Sequence, residues 1–275
     1  MYSNHVTQAN NGCDFDFLET NFGTSAKEPD IFYRDYMLVN HIKKVYLKAS
    51  VATICTALFK RGLKNQFIQD LYPLNLNLSN MVGFAYTVRY IPAREDLNTL
   101  EVFKNPKHPQ RVAVEECPKD HVLIFDSRKD PRAASAGAIL ITRLMVKGCA
   151  GVVTDGGFRD SDEIKKLQIP AYHNRPSSPT NLTLHQAIDI NVPIGCGDVA
   201  VWPGDLLVGD KEGVVVIPSN IIDEIANEVN PMTIYEDYVI DRVRNGSSIK
   251  GLYPLTDKNE KKIYEKWLKS NNKEN

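Results

Sequence analysis

The chain has 275 residues, 43% hydrophobic and 24% charged, with a formal net charge of −1; that is enough apolar content for one large domain with extensions and gives no pull toward disorder. A balance this close to neutral lacks the electrostatic footprint of a nucleic-acid binder, and no apolar run reaches the length needed to cross a bilayer. The five cysteines are scattered, odd in number and without a CxxC pair, which argues against a disulfide framework and a structural zinc site.

Residues 1–37 are polar, Asn-rich and aperiodic over most of their length and read as a loosely held arm. The start, MYSNHVTQANNGCDFDF, has no basic segment followed by an apolar one, so no secretory signal is visible and a cytoplasmic protein is expected. Ser50 is placed to cap a helix over Val51–Arg61, with Gly62 just past its end. Gly83–Tyr90 (GFAYTVRY) alternates as a strand, and His121–Asp126 (HVLIFD) reads as a buried strand ending in an acid. From Ser135 to Lys147, Leu140, Ile141, Leu144 and Met145 fall at helical spacing, with Gly148 as the terminating residue. Cys149–Thr154 is a further buried strand, broken by Asp155-Gly156-Gly157. Short runs between Ile188 and Ile217, separated by Pro and Gly, suggest strands joined by tight turns. Ser219 is expected to cap Asn220–Val229, and Asn230-Pro231 to begin a final helix to Arg244, closed by Gly246. The polar tail from Lys269 is expected to fray. The pattern is mixed α/β, with a core domain over 38–230 and a helical extension over 231–275; no GxGxxG follows a first strand, which disfavours a Rossmann domain.

The densest chemical cluster is Gly148–Asp160. A strand ends, two glycines permit a sharp turn, and adjacent Arg159 and Asp160 are presented at the tip. An Arg fork grips a carboxylate through two hydrogen bonds, while Asp offers a hard oxygen to a divalent cation. The competing view is a surface Arg-Asp pair at a turn, worth little energetically. None of the six histidines is spaced as HxH or HExxH. His173 and His185 flank a polar loop, in which Asn174, Arg175, Ser177, Ser178 and Thr180 are suited either to the hydroxyls of a sugar acid or to a subunit contact.

GxAGVVxDGxxRD (Gly148–Asp160), GFAYTVRY (Gly83–Tyr90), NVPIGCGDVAV (Asn191–Val201) and PGDLLVGDKEGVVVIP (Pro203–Pro218) together resemble the RraA-like / 4-hydroxy-4-methyl-2-oxoglutarate aldolase family over roughly residues 45–240. The extension past Glu236 is similar to a longer branch labelled ribonuclease activity regulator RraA. The resemblance implies an α/β/β/α swivelling-domain-like fold assembled as a homotrimer or homohexamer. It also implies a site in which Asp160 ligates magnesium or manganese and Arg159 contacts a pyruvate-type 2-keto acid. The backbone of Ser135, Ala136, Gly137, Ala138, Ile139 and Leu140 would receive the substrate carboxylate, and Glu236 would assist proton transfer from a neighbouring subunit. An exposed helix carboxylate is the plainer role for Glu236. The family aldolases carry an acid 21 positions before the Arg; here that position is Ala138. Asp126, Asp130 and Asp155 are the candidate substitutes, although Asp-Gly favours a turn role for Asp155. The implied function is a metal-dependent lyase (aldolase, decarboxylase or dehydratase) acting on a 2-keto acid such as a 2-keto-3-deoxy sugar acid. The alternative is a non-catalytic regulator that binds an RNA-degrading enzyme. The family's methyltransferase label gains no support, because no glycine-rich S-adenosylmethionine loop is present.

Overall fold

The computed structural model describes residues 40–271. The expected N-terminal arm and the last residues of the polar tail lie outside them. Helix α1 (Asn40–Lys48) leads into α2 (Val51–Lys60). Ser50 caps α2 as expected: its hydroxyl accepts from the Thr53 amide, satisfying one of the orphan donors of the first turn. Short strands β1 (Phe67–Ile68) and β2 (Tyr72–Pro73) precede the long β3 (Met81–Pro92). Helix α3 (Pro109–Glu116) begins with proline, whose missing N–H costs nothing there. There follow β4 (His121–Asp126), β5 (Ala134–Ala136), α4 (Ala138–Val146), β6 (Gly151–Thr154), β7 (Gly157–Phe158), α5 (Ser161–Ile164), β8 (Ala171–His173) and β9 (Arg175–Pro176). The chain continues through β10 (His185–Ile190), β11 (Ile194–Cys196), β12 (Val199–Val201), β13 (Leu206–Gly209), β14 (Val214–Ile217), α6 (Ile222–Arg244) and α7 (Lys258–Ser270).

The main sheet runs β1-β14-β13-β3-β4-β6-β8-β2, and its centre, β3-β4-β6-β8, is parallel. Strand β3 is long enough to take two antiparallel partners on its other side: β13 along Met81–Phe84 and β10 along Val88–Pro92. Both faces are covered. Leu123 and Phe125 of β4 pack toward α3 and α4, whereas Val122 and Ile124 pack toward the β11–β12 ribbon, and all four are fully buried. Burial on both faces is why HVLIFD reads as a continuous apolar run with no alternation. The strands β5, β7 and β9 form a second, small parallel sheet that carries the Arg159-Asp160 turn. Among the described residues no helix is long and apolar enough to cross a membrane.

Two helix limits differ from expectation. The helix expected from Ser135 starts at Ala138, because Ala134–Ala136 pairs with β7 as a strand and Gly137 remains extended at φ −133°. The two helices expected around Asn230-Pro231 are one continuous helix, α6. An internal proline removes an N–H and crowds the carbonyl four residues back. Here the helix is buried on both sides of Pro231, through Ile225, Ala226 and Val229 before it and Tyr238 and Val239 after it. Ser219 lies in a short 3₁₀ turn ahead of α6 and does not cap it. The far end of α6 packs on α7 through Tyr238, Tyr264 and Trp267, around buried Leu252.

Candidate functional site

The conformation of the GGFRD turn departs from the simplest reading of its glycines. Gly156 and Gly157 do not adopt positive φ; they are required by close approach. A Cβ on Gly156 would stand 2.7 Å from Ser127 Cβ, and one on Gly157 would stand 2.6 Å from Ser177 Cβ. The residue in the left-handed region is Asp160 itself, at φ 58° and ψ 37°. Such a conformation is uncommon outside glycine but is among those Asp tolerates. It directs the chain abruptly from β7 into α5. The Arg159 amide donates to the Ala136 carbonyl at 3.1 Å, so the turn is tied to the residue before Gly137.

The resulting pocket has a volume of about 360 Å³ and is lined by Arg159 and Asp160, by Ala136, Gly137, Ile139 and Leu140 at the start of α4, and by Gln110 and Arg111 of α3. Both side chains of the pair are about half exposed. Arg159 Nε lies 3.7 Å from Asp160 Oδ2, and that oxygen receives the Ala138 amide at 3.3 Å. The Leu140 amide turns back on the Gly137 carbonyl. Among the described residues no protein acceptor takes the amides of Gly137 or Ile139. Two donors are therefore available where the dipole of α4 favours an anion. The pocket thus combines an accessible carboxylate, a guanidinium and helix-start amides.

Not every residue expected at the site is there. Ser135 is fully buried and faces away: its hydroxyl joins those of Ser127 (2.7 Å) and Thr154 (2.5 Å), while its carbonyl accepts from Tyr90 and Gln110. Ala138 is only partly buried: its methyl packs on the core cluster and does not line the cavity, but its amide reaches Asp160 at the pocket's edge. Glu236 accepts a hydrogen bond from Thr53 in the seam between α6 and α2, and it is not part of this pocket in the single chain. Asp126 and Asp130 are also elsewhere. Asp126 accepts from the Arg128 amide, and Asp130 is gripped by Arg132, which lowers its pKa to about 2. Asp155 is a buried bracket, accepting the amides of Ser127, Lys129 and Gly197; burial nevertheless pushes its pKa up to about 6. The acid missing at position 138 thus has no replacement among the residues lining the pocket, where Asp160 is the one carboxylate.

The polar loop after Tyr172 braces the turn through its backbone. The amides of Asn174 and Ser177 donate to the carbonyls of Gly156 and Phe158, and Ala134 donates to Pro179. Only Thr180 and Asn181 of this segment reach the pocket. His173 is buried, its Nδ1 accepts the Phe158 amide at 3.3 Å, and burial lowers its pKa to about 4, so it holds the turn as a neutral ring. His185 is likewise structural, bonded to Asp130 O and stacked on Tyr90. The sequence reading missed Gln110, Arg111, Leu100 and Phe103. They lie on or just before α3, and no local pattern in that segment aims it at the Arg159-Asp160 turn.

Among the described residues no three His, Cys, Asp or Glu side chains converge as a ready-made cage. Within the pocket Asp160 offers a half-exposed carboxylate, contacted by the Ala138 amide at 3.3 Å and by Arg159 Nε at 3.7 Å. One carboxylate supplemented by water and substrate oxygens is a common way to hold Mg²⁺, so the donor set fits a hard divalent ion.

Gly137 sets the pair's position. A Cβ there would lie 2.8 Å from Asp160 Oδ2 and 2.9 Å from Arg159 Nε, forcing both side chains to move. Gly137→Ala should therefore lower turnover by about tenfold or more, since misplacement of order 1 Å is costly at a reacting centre. The melting temperature should hold, because its extended backbone suits alanine. Steady-state kinetics beside a thermal melt checks this, and unchanged turnover would mean that Gly137 does not place the pair.

Residues 51–216 match the family described as RraA-like, Aldolase/RraA. A Halalkalibacterium halodurans protein named for 4-hydroxy-4-methyl-2-oxoglutarate aldolase is 32% identical over 169 residues, covering 62% of this chain and 73% of that protein. Protein DlpA of Legionella pneumophila is 23% identical over 90% of this chain, which spans only 37% of DlpA's length. The crystal structure of Streptomyces coelicolor RraAS2, described as an unusual member of the RNase ES inhibitor RraA protein family, superposes with a TM-score of 0.64 at 24% identity, covering 72% of this chain and 95% of that one. The fold is the α/β fold of these proteins. With the family match extending from the first residue of α2 into β14 and enclosing the whole Arg159-Asp160 pocket, the chain belongs to the Aldolase/RraA family.

Proposed function

We propose that this protein is a divalent-metal-dependent lyase that breaks a carbon–carbon or carbon–oxygen bond in a pyruvate-type 2-keto acid. The observation that carries the proposal is the convergence of Arg159, Asp160 and the unpaired amides at the start of α4 on one pocket. Aldol cleavage, decarboxylation and dehydration of such acids share the need to stabilise an enolate. A magnesium or manganese ion held by Asp160 would supply Lewis-acid stabilisation of that charge. Arg159 orients the keto acid and adds a fixed positive charge beside the developing oxyanion. The amides of Gly137 and Ile139 receive the carboxylate. A screen for pyruvate release from 2-keto acids, with and without Mg²⁺ or Mn²⁺, tests the reading. Release that depends on the metal supports it, and no release from any member of an aldol, oxaloacetate and deoxy-sugar-acid panel opposes it. The second reading, a regulator that binds an RNA-degrading enzyme, draws on Ala138, which stands where family aldolases carry an acid.

The first-turn acid can be restored. Ala138→Glu should raise oxaloacetate decarboxylation above the wild-type rate, because positioned bases contribute on the order of 10²–10⁴-fold. An acid in a helix's first turn is also electrostatically compatible with folding. If wild type already turns over efficiently and Ala138→Glu makes no difference, the missing acid does not limit the chemistry.

The same pocket motivates an expected assembly. Ile139 and Leu100 line it yet are 81% and 69% exposed, an unusual state for large aliphatic side chains at a site rim. A neighbouring subunit would cover them, so three or six copies are expected by analytical ultracentrifugation. A monomer at micromolar concentration would count decisively against it.

A further inference from the structure

Two of the buried cysteines meet away from the pocket. Cys117 caps the C-terminal end of α3, its amide donating to the Ala113 carbonyl, and Cys149 stands between α4 and β6. They are 32 positions apart with no short spacing to mark them as a pair, but the fold lays their segments side by side. The Asp120 amide donates to Gly148 O at 3.0 Å, and the Ala150 amide to His121 O at 2.7 Å. Both sulfurs face one carbonyl, with Cys117 Sγ 3.9 Å and Cys149 Sγ 3.6 Å from Pro118 O, and the thiols hydrogen-bond to each other. Both are free thiols.

The pair is not symmetric. Cys117 is fully buried, whereas Cys149 keeps 8% of its surface exposed. The hydrogen bond from Cys117 lowers the pKa of Cys149; burial opposes this, and the ammonium of Lys147 adds to it. Lys147 is fixed there by donating to Glu115 O. The same thiol–thiol bond, and then burial, push Cys117 up. Cys55 and Cys196 have no such help: burial and nearby carboxylates raise both. The thiolate is the reactive form of cysteine, so Cys149 is the nucleophile of the pair.

We propose that Cys149 is a site of reversible oxidation by hydrogen peroxide, closed by Cys117 into an internal disulfide that fastens α3 to the head of β6. The Cys149 sulfur attacks one peroxide oxygen; the S–O bond forms as the O–O bond breaks, and the departing hydroxide takes the thiol proton and leaves as water. The Cys117 sulfur then attacks the sulfenic sulfur, and the S–S bond forms as the S–O bond breaks, with the Cys117 proton leaving in a second water. The two thiols give up two electrons and two protons, and peroxide is reduced to two waters. The small opening at Cys149 admits such an oxidant and excludes a bulky disulfide. From its other end α3 carries Gln110 and Arg111 into the pocket, so the bond anchors one pocket wall to the central sheet.

Peptide mapping of the full chain under non-reducing conditions, before and after a few equivalents of hydrogen peroxide, tests this. A cross-link between the peptides holding Cys117 and Cys149 should form with loss of two hydrogens and disappear on reduction with dithiothreitol. The oxidised protein should melt higher by roughly 5–10 °C, because the bond closes a loop that restrains the unfolded chain. Cys117→Ser should stop at the sulfenic acid, trapped on Cys149 by dimedone, whereas Cys149→Ser should leave Cys117 unmodified at the same dose. Peroxide-treated wild type without the cross-link, or with Cys149 linked to any other cysteine, would overturn the proposal. Dimedone labelling of Cys117 in Cys149→Ser would overturn the assignment of the nucleophile. Should either serine variant fail to fold, the wild-type map decides by itself.

Discussion

Replacing Asp160 is expected to lower metal-dependent turnover by roughly three orders of magnitude, the scale on which removal of a principal electrostatic stabiliser acts. Asp160→Asn is the sharper variant. Asn tolerates the left-handed backbone observed at φ 58°, keeps the side-chain shape and removes the charge that would bind a cation. Asp160→Ala should show the same catalytic loss with an added destabilisation of about 1 kcal/mol, because alanine is strained in that region. The carboxylate is half exposed and makes no buried contact, so neither variant should disturb the core. Turnover assayed over a range of Mg²⁺ and Mn²⁺ concentrations, alongside a thermal melt, separates the two effects. Wild-type turnover in folded Asp160→Asn would end the metal-site reading.

The largest stability effect is expected at Asp155. Its buried carboxylate accepts three backbone amides, those of Ser127 at 2.6 Å, Lys129 at 3.0 Å and Gly197 at 3.0 Å, and so joins the loop after β4 to the β11–β12 turn. Asp155→Ala leaves those donors without their acceptor, and each such loss costs about 1–3 kcal/mol. At pH 5, below its folded pKa of about 6, the group is mostly protonated, so the amides lose a neutral acceptor and a net destabilisation of about 2–4 kcal/mol is expected. The sign of the pH dependence follows from the raised pKa. Asp155 titrates at about 6 in the folded protein against 3.8 for the ordinary carboxyl. The folded state therefore binds more protons between those values, and the contribution of Asp155 is full below 3.8 and declines as pH rises through 6. The gap between wild type and Asp155→Ala should thus shrink by on the order of 1 kcal/mol between pH 5 and pH 7. His173 acts in the opposite sense. Its folded pKa near 4 lies below the ordinary 6.5, so its contribution is present above 6.5 and lost as pH falls toward 4. Measuring the difference between the two proteins cancels that term. Denaturant unfolding at both pH values is the check, and a gap that widens toward pH 7 would show that the three amides outweigh burial.

The sequence by itself determined the elements whose signals are local. Ser50 capped α2 because a hydroxyl at that position meets the amide three residues on, and HVLIFD became a central strand because it is apolar on both faces. Adjacent Arg159 and Asp160 at a strand end were legible in the same way, whereas Gly137 was reached only through the family resemblance. Only the tertiary structure decided the rest. Ala134–Ala136 became a strand because β7 was there to pair with it, and α6 ran through Pro231 because partners bury it on both sides. The glycines after Asp155 serve close packing against Ser127 and Ser177, residues distant in sequence. Arg111 and Gln110 reach the pocket only because α3 packs beside the β5–β7 platform. A capping hydroxyl or an apolar run acts within a few residues of itself, whereas a pocket wall is made by whichever surfaces the packing of distant elements brings together.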